Sequence, residues 1–137
     1  MKTIAFAGLA LAAALTAASP SLAAGGGSRL RLQCTAEGAT DHSISARFEQ
    51  RNARRKFDAS FEAAPNIGFA AGQFLKVTVN GLNVGAMRLI RDAASGDIIG
   101  DLEFDTRVDD GNPFPANFPK VASGANVRVG PLACSLR

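Results

Sequence analysis

The sequence predicts an all-β protein, a small antiparallel β-sandwich of seven or eight strands with immunoglobulin-like or Greek-key order. Apolar and polar residues alternate along several short runs, as a strand with one buried face requires. Turn signals such as Asn80-Gly81 separate these runs. Cys34 and Cys134 lie in phase with apolar neighbours in the first and last runs, which favours one disulfide. An up-and-down barrel is the alternative architecture.

The N-terminal residues have the pattern of a secretory signal peptide. Lys2 precedes an apolar, alanine-rich run, and the small residues Ser21 and Ala23 fit cleavage after Ala23. We therefore expect a signal-peptide helix over 1–23, a flexible lead-in over 24–28 and a single β-sandwich domain over 29–137. The mature chain would be periplasmic or extracellular, and no other apolar run is long enough for a transmembrane span.

Three clean alternations occupy the first half of the predicted domain. They run over Arg29 to Ala36, Ser43 to Gln50 and Lys56 to Ala63, and each places apolar residues on one face only. Because only a few polar residues connect the second run to the third, we expect these two runs to form a hairpin with a basic tip.

The middle of the chain predicts further strands around a tight turn. Leu75 to Val79 and Ile98 to Asp105 alternate well, and Asn80-Gly81 is a favoured type I′ pair. Leu89 and Ile90 are adjacent apolar residues that break the alternation. A strand buried on both faces, or a β-bulge, would give that pattern.

The last part of the sequence predicts a long loop followed by closing strands. Arg107 to Pro119 contains three prolines, so a regular strand is not expected there. Phe114 and Phe118 should fold back onto the sandwich. The alternation of Val121 to Arg137 changes phase at Gly130-Pro131, where we expect a bulge.

Composition supports an oxidised, exported domain without pointing to one partner. A disulfide between Cys34 and Cys134 would hold the first and last strands side by side or face to face. Loss of Lys2 with the signal peptide leaves 14 basic and 12 acidic residues, a balance that implies no particular ligand. Trp and Tyr are absent, so the Phe residues are expected to build the core.

A cluster of basic residues at the predicted hairpin tip is the first candidate site. Arg51, Arg54, Arg55 and Lys56 could bind a polyanion such as an envelope polymer, with a solvated turn as the alternative. No aromatic residue is interleaved for base stacking, so specific nucleic-acid binding is not expected. A protein partner is also compatible with this surface.

A cluster of acidic residues is the second candidate site. Asp105, Asp109, Asp110 and Asn112 could supply oxygen ligands to Ca²⁺, although the EF-hand spacing is absent. The run Asp101–Asp110 could instead equip a small hydrolase that uses paired carboxylates. A solvated strand face and turn is the third interpretation.

Catalytic machinery is otherwise not indicated. His42 is the only histidine, and its neighbours Gly38, Asp41 and Ser43 indicate a turn residue rather than a base. We therefore expect no catalytic residues, no resident cofactor and a non-catalytic binding or envelope-associated module. The alternatives are a small hydrolase, a Ca²⁺-binding protein, or a subunit that assembles through an edge strand.

Overall fold

A computed structural model describes residues 27–137, and the predicted signal peptide lies outside them. No helix that could cross a membrane occurs within these residues. The described chain forms nine β-strands: β1 (Arg29–Glu37), β2 (His42–Arg51), β3 (Arg54–Ala63), β4 (Phe74–Val79), β5 (Leu82–Arg88), β6 (Ile90–Arg91), β7 (Ile98–Asp105), β8 (Asn126–Val129) and β9 (Leu132–Ser135).

The strands form two sheets in which all pairs are antiparallel. Sheet A has the order β1-β2-β3-β7-β6, and sheet B has the order β5-β4-β8-β9. The two inner faces enclose a common hydrophobic core. The prediction of an antiparallel β-sandwich is therefore confirmed.

The strand order contains a Greek key. The strands β4, β5 with β6, and β7 follow one another as neighbours, and β8 then returns to lie beside β4 on its other side. This is the spatial order 4-1-2-3 that defines the motif. The long connection it needs is the predicted loop after β7.

The chain passes from one sheet to the other at Leu89, the single residue between β5 and β6. Leu89 is fully buried, whereas Ile90 is 53% exposed. The two adjacent apolar residues therefore point to opposite sides at a change of sheet. The expected doubly buried strand is not found, and the bulge of this region lies between β4 and β5, where the register shifts at Val77/Thr78.

A disulfide connects the outer strands of the two sheets. Cys34 of β1 and Cys134 of β9 are bonded, with 5.8 Å between their Cα atoms. Nearby, Gln33 and Arg137 exchange two backbone hydrogen bonds of 3.0 and 3.1 Å. The predicted disulfide between the first and last strands is confirmed. In the chain-entropy view, closing so long a loop stabilises the fold by about 4–5 kcal/mol.

Phenylalanine side chains fill one end of the core. Phe57 and Phe104 lie on facing positions of β3 and β7, and the ring centroids of Phe57 and Phe118 are 5.3 Å apart. The rings of Phe114 and Phe118 are 4.8 Å apart. Both loop phenylalanines thus pack back onto the sandwich, as expected, and anchor the loop above β3 and β7.

Two turns test the expected local geometry. Asn80 and Gly81 have φ values of 49° and 79°, the positive values that a type I′ turn requires. The prediction of a bulge at Gly130-Pro131 is wrong. These two residues form the turn between β8 and β9, which pair at Val129 and Leu132. Paired residues on either side of a two-residue turn share a face, so the change of phase comes from the turn itself.

Candidate functional site

The predicted basic and acidic clusters meet across the β3–β7 pair, on the outer face of sheet A. Lys56 is directly opposite Asp105 in the register. Three contacts follow one another along the strands: Arg54 with Asp105 at 2.8 Å, Lys56 with Glu103 at 2.9 Å, and Ser60 with Asp101 at 2.7 Å. We call these six residues the charge ladder. The first two contacts join opposite charges at neighbouring positions of the two strands, and the third is a hydrogen bond from the Ser60 hydroxyl to Asp101.

Asp105 is the buried member of the charge ladder. Its carboxylate is fully inaccessible, and it accepts hydrogen bonds from Arg54 Nε at 3.3 Å and Arg54 Nη2 at 2.8 Å. The backbone N–H of Arg107 donates a third bond of 2.9 Å. The hydrogen bonds from Arg54, and then that from Arg107, hold the pKa of Asp105 below its usual value.

The other predicted metal ligands lie in the loop after β7. Asp110 is 3.1 Å from Arg54, and the Asn112 side-chain amide donates to the carbonyl oxygen of Glu103 at 3.3 Å. Asp109 is exposed. Within residues 27–137, no three His, Cys, Asp or Glu side chains are grouped so that they could hold a metal ion. Asp105 and Asp110 instead share Arg54 as a cationic partner.

The predicted polyanion-binding residues have different surroundings. The Lys56 ammonium lies between Glu103 and Asp58, and its hydrogen bond to Glu103 raises its pKa. The Arg55 guanidinium lies 4.6 Å from the centroid of the Phe114 ring, a cation–π contact. Arg51 is exposed and forms no ion pair with any described side chain. The cluster is therefore largely neutralised or covered.

A shallow depression of about 400 Å³ lies on the outer face of sheet A. Short side chains form its floor, because Thr35, Ser45 and Ser60 stand in register across three strands. Asp58 lies at its side, and burial raises the pKa of this carboxyl. Hydroxyl groups and a carboxyl can hydrogen-bond a polar ligand, but the floor presents no hydroxyl paired with an imidazole base.

His42 has a structural position at the turn between β1 and β2. Its Nδ1 atom lies 2.7 Å from the carbonyl oxygen of Thr40 and 2.9 Å from the Thr40 hydroxyl. Its ring centroid is 5.3 Å from that of Phe69, which contacts the core through Phe61. These contacts match the turn role that the sequence indicates, and they use one ring nitrogen to fix the turn.

The outer face of sheet B carries a set of cations that no local motif indicated. All twelve acidic residues of the sequence fall within 37–62 and 92–110. The strands of sheet B come entirely from outside these ranges. Lys76, Arg88 and Arg128 are all exposed on this sheet, so their charges face solvent with no carboxylate beside them.

The register brings these three cations together. Lys76 is opposite Ala86 on β5, so Arg88 is its diagonal neighbour two residues further along. Arg128 is opposite Thr78, which makes it the diagonal neighbour of Lys76 on the other side. Diagonal positions of this kind are about 7–8 Å apart. We call Lys76, Arg88 and Arg128 the cationic face.

None of these cations forms an ion pair with a side chain of the described part of the chain. Sequence reasoning missed them because each is a single basic residue within an otherwise ordinary strand. A signal was present in the sequence, however. The segments 63–91 and 111–137 contain no acidic residue, and these segments provide the strands of sheet B.

No family model matches the chain, and searches of curated proteins and of solved structures found no match.

Proposed function

We propose that this protein is an exported, non-catalytic binding module that engages an anionic partner through the cationic face of sheet B. The observation that carries the proposal is the contrast in charge pairing. The cations of the charge ladder have carboxylate partners, whereas Lys76, Arg88 and Arg128 have none among the described residues. Export is supported by the N-terminal pattern and by the Cys34–Cys134 disulfide.

The three cations are close enough to act on one ligand. Lys76 lies about 7–8 Å from each of Arg88 and Arg128, within the Debye length of about 8 Å at physiological ionic strength, so its field adds to that of each neighbour. Ala86 and Ala133 lie on the same face and leave the longer basic side chains accessible. A surface of this kind attracts anions and increases the rate of their encounter.

The contacts of the carboxylates favour binding over hydrolysis. Asp101, Glu103 and Asp105 are spread along β7, and each contacts a different residue of β3. A hydrolase of the class considered above would instead need two carboxyl groups flanking one scissile bond. The pairing therefore gives these acids a structural use, whereas no described carboxylate pairs with the cations of the cationic face.

Edge-strand assembly is less favoured because the ends of both sheets have neighbours. Strand β6 of sheet A follows β5 of sheet B after one residue, and Gln33 of β1 exchanges two backbone hydrogen bonds with Arg137. An added strand requires an edge whose backbone groups are available. The remaining surface on which a partner can act is the outer side of each sheet.

Retention on immobilised heparin, a sulfated polyanion, tests the proposal. We compare the wild type with the triple variant Lys76→Ser/Arg88→Ser/Arg128→Ser. The matched control is Arg29→Ser/Arg47→Ser/Arg51→Ser, which removes the same charge from exposed positions of sheet A that form no ion pair in residues 27–137. We expect the first variant to elute at clearly lower salt, since the salt dependence of polyanion binding follows the number of contacting cations.

The control makes the result specific to one face. If the two variants elute at equally reduced salt concentrations, retention follows net charge alone and the proposal is rejected. A larger loss in the variant that includes Arg51 would move the site to the β2–β3 hairpin tip, the surface that the sequence first indicated.

A further inference from the structure

The exposed apolar side chains of this protein are concentrated beside the cationic face. Four large hydrophobic residues are exposed among residues 27–137, and Phe74, Leu82 and Ile90 belong to the stretch from β4 to β6. The fourth, Val108, lies in the loop beside Asp109 and Asp110. Large apolar side chains that remain in water next to a charged patch are typical of an interaction surface.

The register places Phe74 and Ile90 within this patch. Phe74 is directly opposite Arg88, and it precedes Lys76 on the same side of β4. Ile90 follows Arg88 by two residues but belongs to β6 of sheet A, where it pairs with Ile99, so it borders the cationic face at the crossing between the two sheets. Phe74 is 65% exposed and Ile90 is 53% exposed. Cations and apolar groups therefore alternate over one surface.

This combination distinguishes a lipid surface from other anionic partners. A charged polysaccharide or a nucleic-acid backbone can be bound by basic residues alone, and an aliphatic Ile side chain offers it little. A bilayer interface presents both components, since anionic headgroups attract Lys and Arg while the acyl boundary accepts Phe and Ile. The acid-free composition of this side also avoids repulsion from anionic lipids.

We propose that the outer face of sheet B, together with the adjoining β5–β6 crossing, docks onto an anionic lipid bilayer, with Phe74 of the face and Ile90 of the crossing inserted at the level of the headgroups. Lys76, Arg88 and Arg128 contact lipid phosphates around the inserted side chains. This inference rests on the proposed function, because it identifies the anionic partner of the same face. It requires the partner to be a lipid surface rather than a dissolved polymer.

Co-sedimentation with vesicles tests the inference. Wild-type protein is mixed with phosphatidylglycerol-containing vesicles or with pure phosphatidylcholine vesicles. Phe74→Ser/Ile90→Ser removes the inserting side chains, and Val108→Ser is the matched control because Val108 is 67% exposed but lies outside the patch. We expect binding to the anionic vesicles only, and a loss of roughly tenfold in the double variant, the effect of withdrawing apolar side chains from a lipid interface.

Heparin retention of the same variants separates this inference from the proposed function. We expect Phe74→Ser/Ile90→Ser to elute from heparin as the wild type does, because the cations are intact. If Phe74→Ser/Ile90→Ser binds vesicles as well as the wild type does, or if Val108→Ser loses as much vesicle binding as the double variant, lipid insertion is rejected. Either result would leave the proposed anion binding unchanged. Heparin retention that does not depend on Lys76, Arg88 and Arg128 would reject the proposed function itself.

Discussion

The outer faces of the two sheets use charge in opposite ways. On sheet A, residues of β3 and β7 pair across the strands, and the buried carboxylate of Asp105 has two hydrogen bonds from Arg54. On sheet B, Lys76, Arg88 and Arg128 lie on three adjacent strands with no carboxylate beside them. The first arrangement fixes the structure of its own face, and the second leaves its charge available to another molecule.

This difference shows why a cluster of charged residues in sequence is a poor guide to a binding site. Arg54, Arg55 and Lys56 are consecutive, but two of them are used to hold β7 and its loop. The cations of sheet B are far apart in sequence and become neighbours only through strand pairing. A binding role is better inferred from charge that the fold does not neutralise.

The largest effect on stability is expected from breaking the pair of Arg54 and Asp105. Arg54→Met leaves a buried carboxylate without its cation, and such a group is costly because burial removes its hydration. We expect the melting temperature to fall by roughly 5–10 °C for a domain of this size. Thermal unfolding followed by circular dichroism measures the change.

Arg51→Met is the matched control for that substitution. Arg51 faces Arg54 across the β2–β3 hairpin, but it is exposed and has no ion pair with another described residue. Its melting temperature should remain close to that of the wild type. Similar losses in both variants would show that the charge ladder does not stabilise sheet A.

A smaller and pH-dependent effect is expected from Asp105→Asn. The native pKa of Asp105 is below its unfolded value of about 3.9, so its charge stabilises the fold above that pH. This contribution is lost as the pH falls through the native pKa, because the wild-type carboxyl is then protonated and neutral, like the amide of the variant. Wild type should therefore be more stable than the variant near neutral pH, and the difference should narrow in acid.

Urea unfolding at a series of pH values measures that difference. Asp109→Asn, an exposed position in the same loop, is the control and should differ little from wild type at any pH. Burial raises the pKa of Asp58, which contributes with the opposite sign, but Asp58 is present in all three proteins and its effect is largely shared. If the unfolding free energy of Asp105→Asn is lower than that of the wild type by the same amount at every pH, the stabilisation does not come from the charge of Asp105.

The smallest effect on stability is expected from the cationic face. Each of Lys76→Ser, Arg88→Ser and Arg128→Ser removes an exposed side chain that contacts no acid in residues 27–137. Changes at such positions are usually within about 0.5 kcal/mol of unfolding free energy. The midpoint of urea unfolding should scarcely move, and a loss comparable to that of Arg54→Met would show that these residues serve the fold.

Several features of the fold could be predicted because they depend on neighbouring residues or on simple constraints. The alternation in β1, β2, β3 and β7 locates those strands to within about two residues, because a half-buried strand imposes that pattern. Positive φ at Asn80 and Gly81 follows from the type I′ turn. The turn at Gly130-Pro131 was missed because a bulge and a two-residue turn can change the phase of alternation in the same way.

The sequence by itself determined the strands β1, β2, β3 and β7, the disulfide partners and the composition of each segment, since these depend on local side-chain periodicity and on there being only two cysteines. Only the tertiary structure decided which charges meet. Strand order and register bring Arg54 to Asp105, 51 residues away, and place Lys76 between Arg88 and Arg128. Pairing between distant strands depends on the whole core, so no local pattern could have shown which cations would pair with a carboxylate on a distant strand.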